Sequence, residues 1–194
     1  NVDLYAFYPF AEPSSVSAYN FEVQKDQSTA RSNGKLAGYE ASDFLWGKAE
    51  NVVPTESAIK VKLNHMMAGV HVILKEGTGF EEAGDFALID KKVLVTNTTR
   101  KASIDLSNGQ VTPIGGAQAT GIVMAPQSDG SFRAIVVPQT VEAGAPLFSI
   151  TIEGNADDRV MEKEYDLFDS KIIGYAEMAD PENSLIFADA ESVT

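Results

Sequence analysis

Hydrophobic and polar side chains alternate with a period of two from the start of the chain. Val2, Leu4, Ala6, Tyr8 and Phe10 share one side, and Asp3, Tyr5, Phe7 and Pro9 share the other. That period belongs to a β-strand with two distinct faces. Pro9 has no N–H to give to a ladder and predicts where the strand stops. A strand that opens at residue 1 predicts a neighbour from outside it: a segment removed by processing or truncation, or one supplied from elsewhere.

The same reading predicts strands over 19–24, 58–63, 66–74, 86–89, 92–95, 101–106, 121–124, 131–137 and 147–152. In 58–63, Ile59, Val61 and Leu63 alternate with Lys60 and Lys62, the pattern of a half-exposed strand. In 66–74, Val70, Val72 and Leu74 oppose His71 and Ile73. The polar stretch 27–38 reads as a loop, as does 79–84. Residues 43–49 suit either a strand or one helical turn capped by Ser42 or Asp43. Asn108-Gly109 is a strong turn signal. Strands about ten residues apart with turns between them predict a β-sandwich or barrel. No long segment has helical period.

These runs divide the chain into an N-terminal sandwich over 1–64, a C-terminal sandwich over 65–160 and a tail over 161–194. Residues 1–64 are too few for a complete sandwich of about 100 residues. The tail opens on a charged stretch and holds two strand-like runs, 172–176 and 184–188, around a turn at 180–183.

Composition narrows the function. The 194 residues are 44% hydrophobic, enough for a packed core, and carry a net charge of -13. That charge disfavours nucleic acid and anionic membrane surfaces, because phosphate recognition needs a basic face. There is no cysteine, so no disulfide framework, thiolate metal site or thiol nucleophile is available. This suits a bacterial surface protein or a cytosolic one better than a secreted eukaryotic domain. No signal segment and no apolar run near 18 residues is present, and a lipid anchor on a precursor would lie outside this sequence.

Candidate chemistry is sparse. His65 and His71 are the only histidines. Along an extended chain they stand about 20 Å apart, too far to share a metal. Glu81-Glu82, Asp157-Asp158 and Glu162 with Glu164 read as solvated charges. Asp180 to Glu191 only loosely matches a calcium loop. No nucleophile elbow, phosphate loop or dinucleotide fingerprint occurs. Trp46 with Tyr39 and Phe44 suits either a sugar-stacking platform or the cap of a core. No cofactor and no catalytic or metal-ligating residue is expected.

Several segments resemble, in order, those of the fimbrillin-like proteins of Bacteroides and relatives. Tyr5-Ala6-Phe7-Tyr8-Pro9-Phe10 looks like the family's "YAYYPY" strand. Phe21-Glu22-Val23 with Gln27-Ser28 resembles its strand ending in "Q-S", and Asp43-Phe44-Leu45-Trp46-Gly47 its "D-L-L-W-A". Val61 to Met67 resembles a compressed "V-x-L-x-F-x-H-x-L". Ile104 to Gly109 resembles the "I-D-L-x-T-G" turn, and Val137 to Gly144 "V-P-Q-x-I-x-A-G". The match spans roughly 4–154. It departs at both ends: the family's extensive portion before "YAYYPY" is absent, and Lys163 onward does not match its ending.

The resemblance implies tandem transthyretin-like (Greek-key) β-sandwiches and a lipoprotein precursor exported to the outer membrane. It implies a fimbrial subunit or cell-surface adhesin that does no catalysis and assembles by β-strand donation. Its partners would be other fimbrial subunits, with a host protein or glycan as a further ligand, and the membrane would be reached only through a lipid anchor on the precursor. Within the tail, residues 169–175 look like an early strand of the family and 184–188 like the strand that precedes "YAYYPY". We therefore expect the tail to complete the sandwich that contains Val2–Phe10. Strand-exchange candidates are Val2, Leu4 and Ala6 at one end and Ile172, Ile173, Tyr175, Leu185, Ile186 and Phe187 at the other. Two other readings stand beside this one: a surface carbohydrate-binding β-sandwich using Trp46, Tyr39 or other exposed aromatics, and a hydrolase using His65.

Overall fold

The computed structural model describes residues 1–55, 58–75, 90–117, 121–141, 145–153, 160–166, 171–173 and 185–188, from residue 152 onward by backbone alone. The first strands are β1 (Val2–Tyr8), β2 (Tyr19–Glu22), β3 (Leu45–Val52), β4 (Asn64–His65) and β5 (Ala68–Ile73), with one short helix, α1 (Gly38–Ser42), before β3. Then come β6 (Asp90–Val95), β7 (Lys101–Asp105), β8 (Gln110–Ile114), β9 (Ile122–Val123), β10 (Ala125–Pro126) and β11 (Phe132–Val136). The last are β12 (Gln139–Val141), β13 (Pro146–Glu153), β14 (Val160–Asp166), β15 (Lys171–Ile173) and β16 (Leu185–Ala188). The fold is all-β, and among the described residues α1 is the one α-helix.

Five sheets are formed among the described residues, in the orders β1-β3-β4, β2-β7-β8, β10-β11-β5-β16, β14-β13-β6-β9 and β12-β15. Period-two alternation shows directly in burial. On β5, Ala68, Val70 and Val72 are buried while Gly69, His71 and Ile73 are half-buried. On β7, Ala102 and Ile104 are wholly buried between more exposed neighbours. The Asn108-Gly109 signal closes the β7–β8 hairpin: the Asp105 carboxylate accepts from the Ser107 N–H and hydroxyl, and the Gly109 N–H donates to the Asp105 carbonyl at 2.7 Å. Gly109 lies at φ +78, and a Cβ there would sit 2.7 Å from the Trp46 ring, so no other residue fits without displacing the indole.

One hydrophobic cluster runs through the protein. Phe21, Val23, Phe44 and Trp46 share it with Val70, Val93, Ile104, Met124, Ile135 and Leu147. Phe44 is its aromatic hub, with the rings of Phe7, Tyr19 and Phe21 centred 5.9, 5.9 and 5.1 Å away. Residues on the two sides of the boundary expected at 64/65 also pair directly, since Tyr19↔Ile104 and Phe21↔Ala102 join β2 to β7.

Residues 43–49 become strand from Leu45 onward, and the helical turn lies just before them. Its ends are held by side chains: the Glu40 carboxylate accepts the Ala37 N–H, and the Ser42 hydroxyl donates to the Gly38 carbonyl while accepting the Gln24 N–H. The strand expected over 58–63 is a correction: its described residues are irregular, with Ile59 and Leu63 exposed. The physical reason is contact with Gly47. The Lys62 carbonyl lies 2.0 Å from where a Gly47 Cβ would stand, so this segment crosses over β3 at close backbone range. Strands β8 and β12 fall where no strand was expected, the first because Thr112-Pro113 blurs the pattern.

The tail differs from expectation as well. The described backbone of β14 pairs with β13, β15 with β12, and β16 with β5, and none pairs with β1. Strand β16 runs parallel to β5, whereas every other strand pair described is antiparallel. Its apolar run takes the free side of β5, a strand whose alternate residues reach the core.

Candidate functional site

The candidate site is the flank of β1 that faces away from β3. Strand β1 pairs with β3 on one side only, through Leu4↔Ala49, Tyr5↔Lys48, Ala6↔Gly47, Phe7↔Trp46 and Tyr8↔Leu45. Its other ladder has no strand beside it among the described residues. Phe7 is tied inward by Tyr19 and Phe44. The residues around it are left out of the core: Val2 is 45% exposed, Tyr5 49% and Tyr8 37%, and Phe10 just past the strand is 87% exposed. A long edge strand with exposed apolar side chains on both faces, Val2 and Tyr8 on one and Tyr5 on the other, is a ready template for another strand.

A bulge fixes the first turn of this edge. The register shifts between Val2↔Val52 and Leu4↔Ala49, leaving one extra residue on β3. Asn51 takes φ 55 there, a conformation Asn tolerates. Its N–H donates to the Asp3 carboxylate at 2.8 Å. On the same stretch Lys48 bonds Glu50 at 2.7 Å. The Glu50 hydrogen bond, with smaller help from Tyr5 and Asp3, raises the Lys48 ammonium above its usual range. This end of the edge therefore carries two carboxylates and one ammonium.

Of the residues singled out from sequence, Val2, Leu4 and Ala6 all lie on this open strand, with Val2 exposed and the other two half-buried. Ile172 and Ile173 lie on β15 opposite Thr140 and Gln139. Leu185, Ile186 and Phe187 lie on β16 opposite Val70, His71 and Val72. Tyr175 lies outside the described residues. The two groups are thus not brought together. Sequence reasoning left out Tyr5, Tyr8 and Phe10 as edge residues, although the aromatic run that carries them was the signal.

The other candidates have structural roles. Trp46 is 8% exposed and its indole N–H donates to the Leu106 carbonyl at 2.8 Å. Phe44 is wholly buried, and Tyr39 packs against the core, where burial raises its phenol above the usual range. The sugar-stacking platform is corrected accordingly: its central ring has no free face, because the β7–β8 hairpin covers it. His65 Nδ1 lies 2.8 Å from the Asp43 carboxylate and ties β4 to the residue that follows α1. His71 lies across the strand pair from Arg133. Among the described residues no three His, Asp or Glu side chains cluster as metal ligands, and no helix is long and apolar enough to cross a membrane. Glu81-Glu82, Asp157-Asp158 and the 180–191 stretch lie outside the described residues, apart from the backbone of 185–188.

The comparisons agree with this architecture. The family model described as fimbrillin-like matches residues 1–168. Three solved structures share the fold, each a provisionally assigned cell adhesion protein. The one from Bacteroides thetaiotaomicron is 18% identical with a TM-score of 0.57, over 89% of this chain and 60% of that one. The Bacteroides uniformis protein is 16% identical with a TM-score of 0.58, over 90% of this chain and 73% of that one. The Bacteroides ovatus protein is 16% identical with a TM-score of 0.58, over 88% and 58%. The chain thus spans about three-fifths of the first of these structures. No curated protein matches the sequence.

Proposed function

The chain belongs to the fimbrillin-like family, and on that premise we propose that it is a structural subunit of a fimbrium, or a cell-surface adhesin, that assembles by accepting a strand on β1. One observation carries the proposal: the outer ladder of β1 is unpaired among the described residues, and Val2, Tyr5 and Tyr8 stand exposed along it. A strand laid there satisfies backbone groups that otherwise face water and covers apolar side chains, each worth about 1.5–3 kcal/mol when fully buried. The exposed residues here are already about half covered, so each contributes less than that. Repeated head to tail, a contact between two different surfaces propagates a filament, whereas a self-complementary one closes a dimer.

In this reading the protein is not an enzyme. Its all-β fold is a tandem of transthyretin-like sandwiches, and its precursor is a lipoprotein exported to the outer membrane. Its partners are other fimbrial subunits, with a host protein or glycan as a further ligand. The relatives' assignment to cell adhesion supports this direction. The carbohydrate-binding alternative has lost Trp46 and is left with the exposed aromatics Tyr5, Tyr8 and Phe10, which the same edge presents.

The test is to mix the protein with the other subunits of its fimbrium and look for detergent-resistant ladders on a gel. A Val2→Lys, Tyr5→Lys double variant blunts the edge at two exposed positions without touching the core. Loss of ladders in a variant that keeps its β-sheet circular dichroism supports the proposal. Ladders of undiminished length refute it.

A further inference from the structure

The β1 edge carries a charge pattern as well as apolar residues, and that pattern selects its occupant. We infer that the strand β1 accepts is apolar at successive positions and carries Lys or Arg at the end that lies beside Asp3. This rests on the reading of β1 as the assembly edge and names the chemistry of its partner.

From Leu4 to Tyr8 the edge presents Leu4, Tyr5, Ala6 and Tyr8, with Phe7 turned to the core, and none is charged. A partner strand must match this with apolar residues on both faces. The far end is different. Asp3 sits on the edge strand itself, one residue from Val2, and Glu50 stands on β3 nearby. Lys48 is engaged by Glu50 at 2.7 Å, which leaves the Asp3 carboxylate outside that ion pair. Asp3 spends one carboxylate oxygen on the Asn51 N–H of β3, which fixes the position of the carboxylate at this end of the strand. A cation arriving on the next strand meets that fixed anion at cross-strand distance, where opposite charges attract and like charges repel. The protein's net charge of -13 acts in the same direction at longer range. An acidic strand end is disfavoured on both counts, which gives the edge a preference among strands of equal hydrophobicity.

The experiment titrates the isotopically labelled full chain with two short capped peptides and follows the β1 amides by NMR. One is acetyl-Lys-Ile-Ile-Gly-Tyr-Ala-Lys-amide, residues 171–176 with a lysine added so that either strand direction sets a cation beside Asp3, and the other has Glu in place of both Lys. At low salt the Lys peptide is expected to bind roughly three- to tenfold more tightly, the range set by exchanging an exposed attraction for a repulsion. The preference disappears near 1 M salt, where the screening length falls to about 3 Å. It shrinks in Asp3→Asn, which keeps an oxygen for the Asn51 N–H, and reverses in Asp3→Lys. Equal affinity of both peptides at β1, or a preference unmoved by Asp3→Asn and Asp3→Lys, overturns the charge inference and leaves the edge reading standing. Shifts confined to other strands, with ladders still forming in the Val2→Lys, Tyr5→Lys variant, overturn both.

Discussion

Replacing Gln27 tests a place where a buried side chain takes the role of a neighbouring strand. Gln27 is 1% exposed. Its amide donates to the Ile135 carbonyl at 2.7 Å, and the Ile135 N–H donates back to its side-chain oxygen at 2.8 Å. Strand β11 needs this. On one side it pairs with β5 along its whole length, but on the other β10 reaches only Phe132 and Arg133. At Ile135 the glutamine amide takes the place of the missing strand. In Gln27→Leu the volume is kept and both Ile135 groups lose their partner in a site closed to water. Each buried group left unsatisfied costs about 1–3 kcal/mol, so the loss is about 2–5 kcal/mol after a small gain from the apolar side chain. Gln27→Glu keeps an acceptor for the N–H but sets a carboxylate against a carbonyl oxygen. It costs at least as much at neutral pH and recovers on acidification, because a protonated carboxyl can donate. Urea unfolding measures both, and a shifted midpoint at unchanged slope reports stability alone. Gln110→Leu, at an exposed position, is the control. A Gln27→Leu protein within 0.5 kcal/mol of the parent, taking about that figure as the usual surface effect, refutes the reasoning.

Trp46→Phe leaves the buried Leu106 carbonyl without its donor and is expected to cost about 1–3 kcal/mol by the same denaturation assay; an unchanged midpoint contradicts the buried role. Gly47→Ala forces the Lys62 backbone off β3 and is expected to destabilise by about 1–3 kcal/mol, with faster amide exchange along β3 and β4; exchange rates equal to the parent's count against the close approach. His71 supplies a pH test. Burial, with the Arg133 charge adding to it and Asp129 opposing, holds its imidazole below the ordinary value. The folded state therefore binds the proton more weakly than the unfolded chain, and stability falls as pH drops through the ordinary histidine range near about 6.5. His71→Gln should show a smaller loss of Tm between neutral pH and pH 5; an identical loss removes His71 as its source.

Local patterning determined much of this protein. The alternation over 66–74 and 101–106 marks strands because a buried face recurs every second residue whatever the partner, whereas 131–137 is buried on both faces and is marked by its apolar run. The Asn108-Gly109 turn was legible for the same reason: its chemistry closes within a few residues. The motifs Gln27-Ser28 and Val137-Pro138-Gln139 were legible as family marks but not as mechanism. In the fold, Gln27 bridges to a residue 108 positions away, and Gln139 does the same for Thr99, accepting its N–H and donating to its carbonyl. Nothing in a local period announces a side chain standing in for a strand.

Tertiary structure alone decided which ladder is left without a strand beside it among the described residues. Ile59, Val61 and Leu63 alternate as a strand does, yet the Lys62 backbone rides over Gly47 and no strand forms. The tail's apolar runs could have gone to β1, and the fold places them beside β5 and β12. Strand order, register and edge are set by contacts between distant residues, and an apolar run has the same pattern whichever edge it joins. Trp46 makes the same point: a tryptophan reads alike in sequence whether it faces a sugar or the β7–β8 hairpin, and only the path of the chain around it determines which it meets.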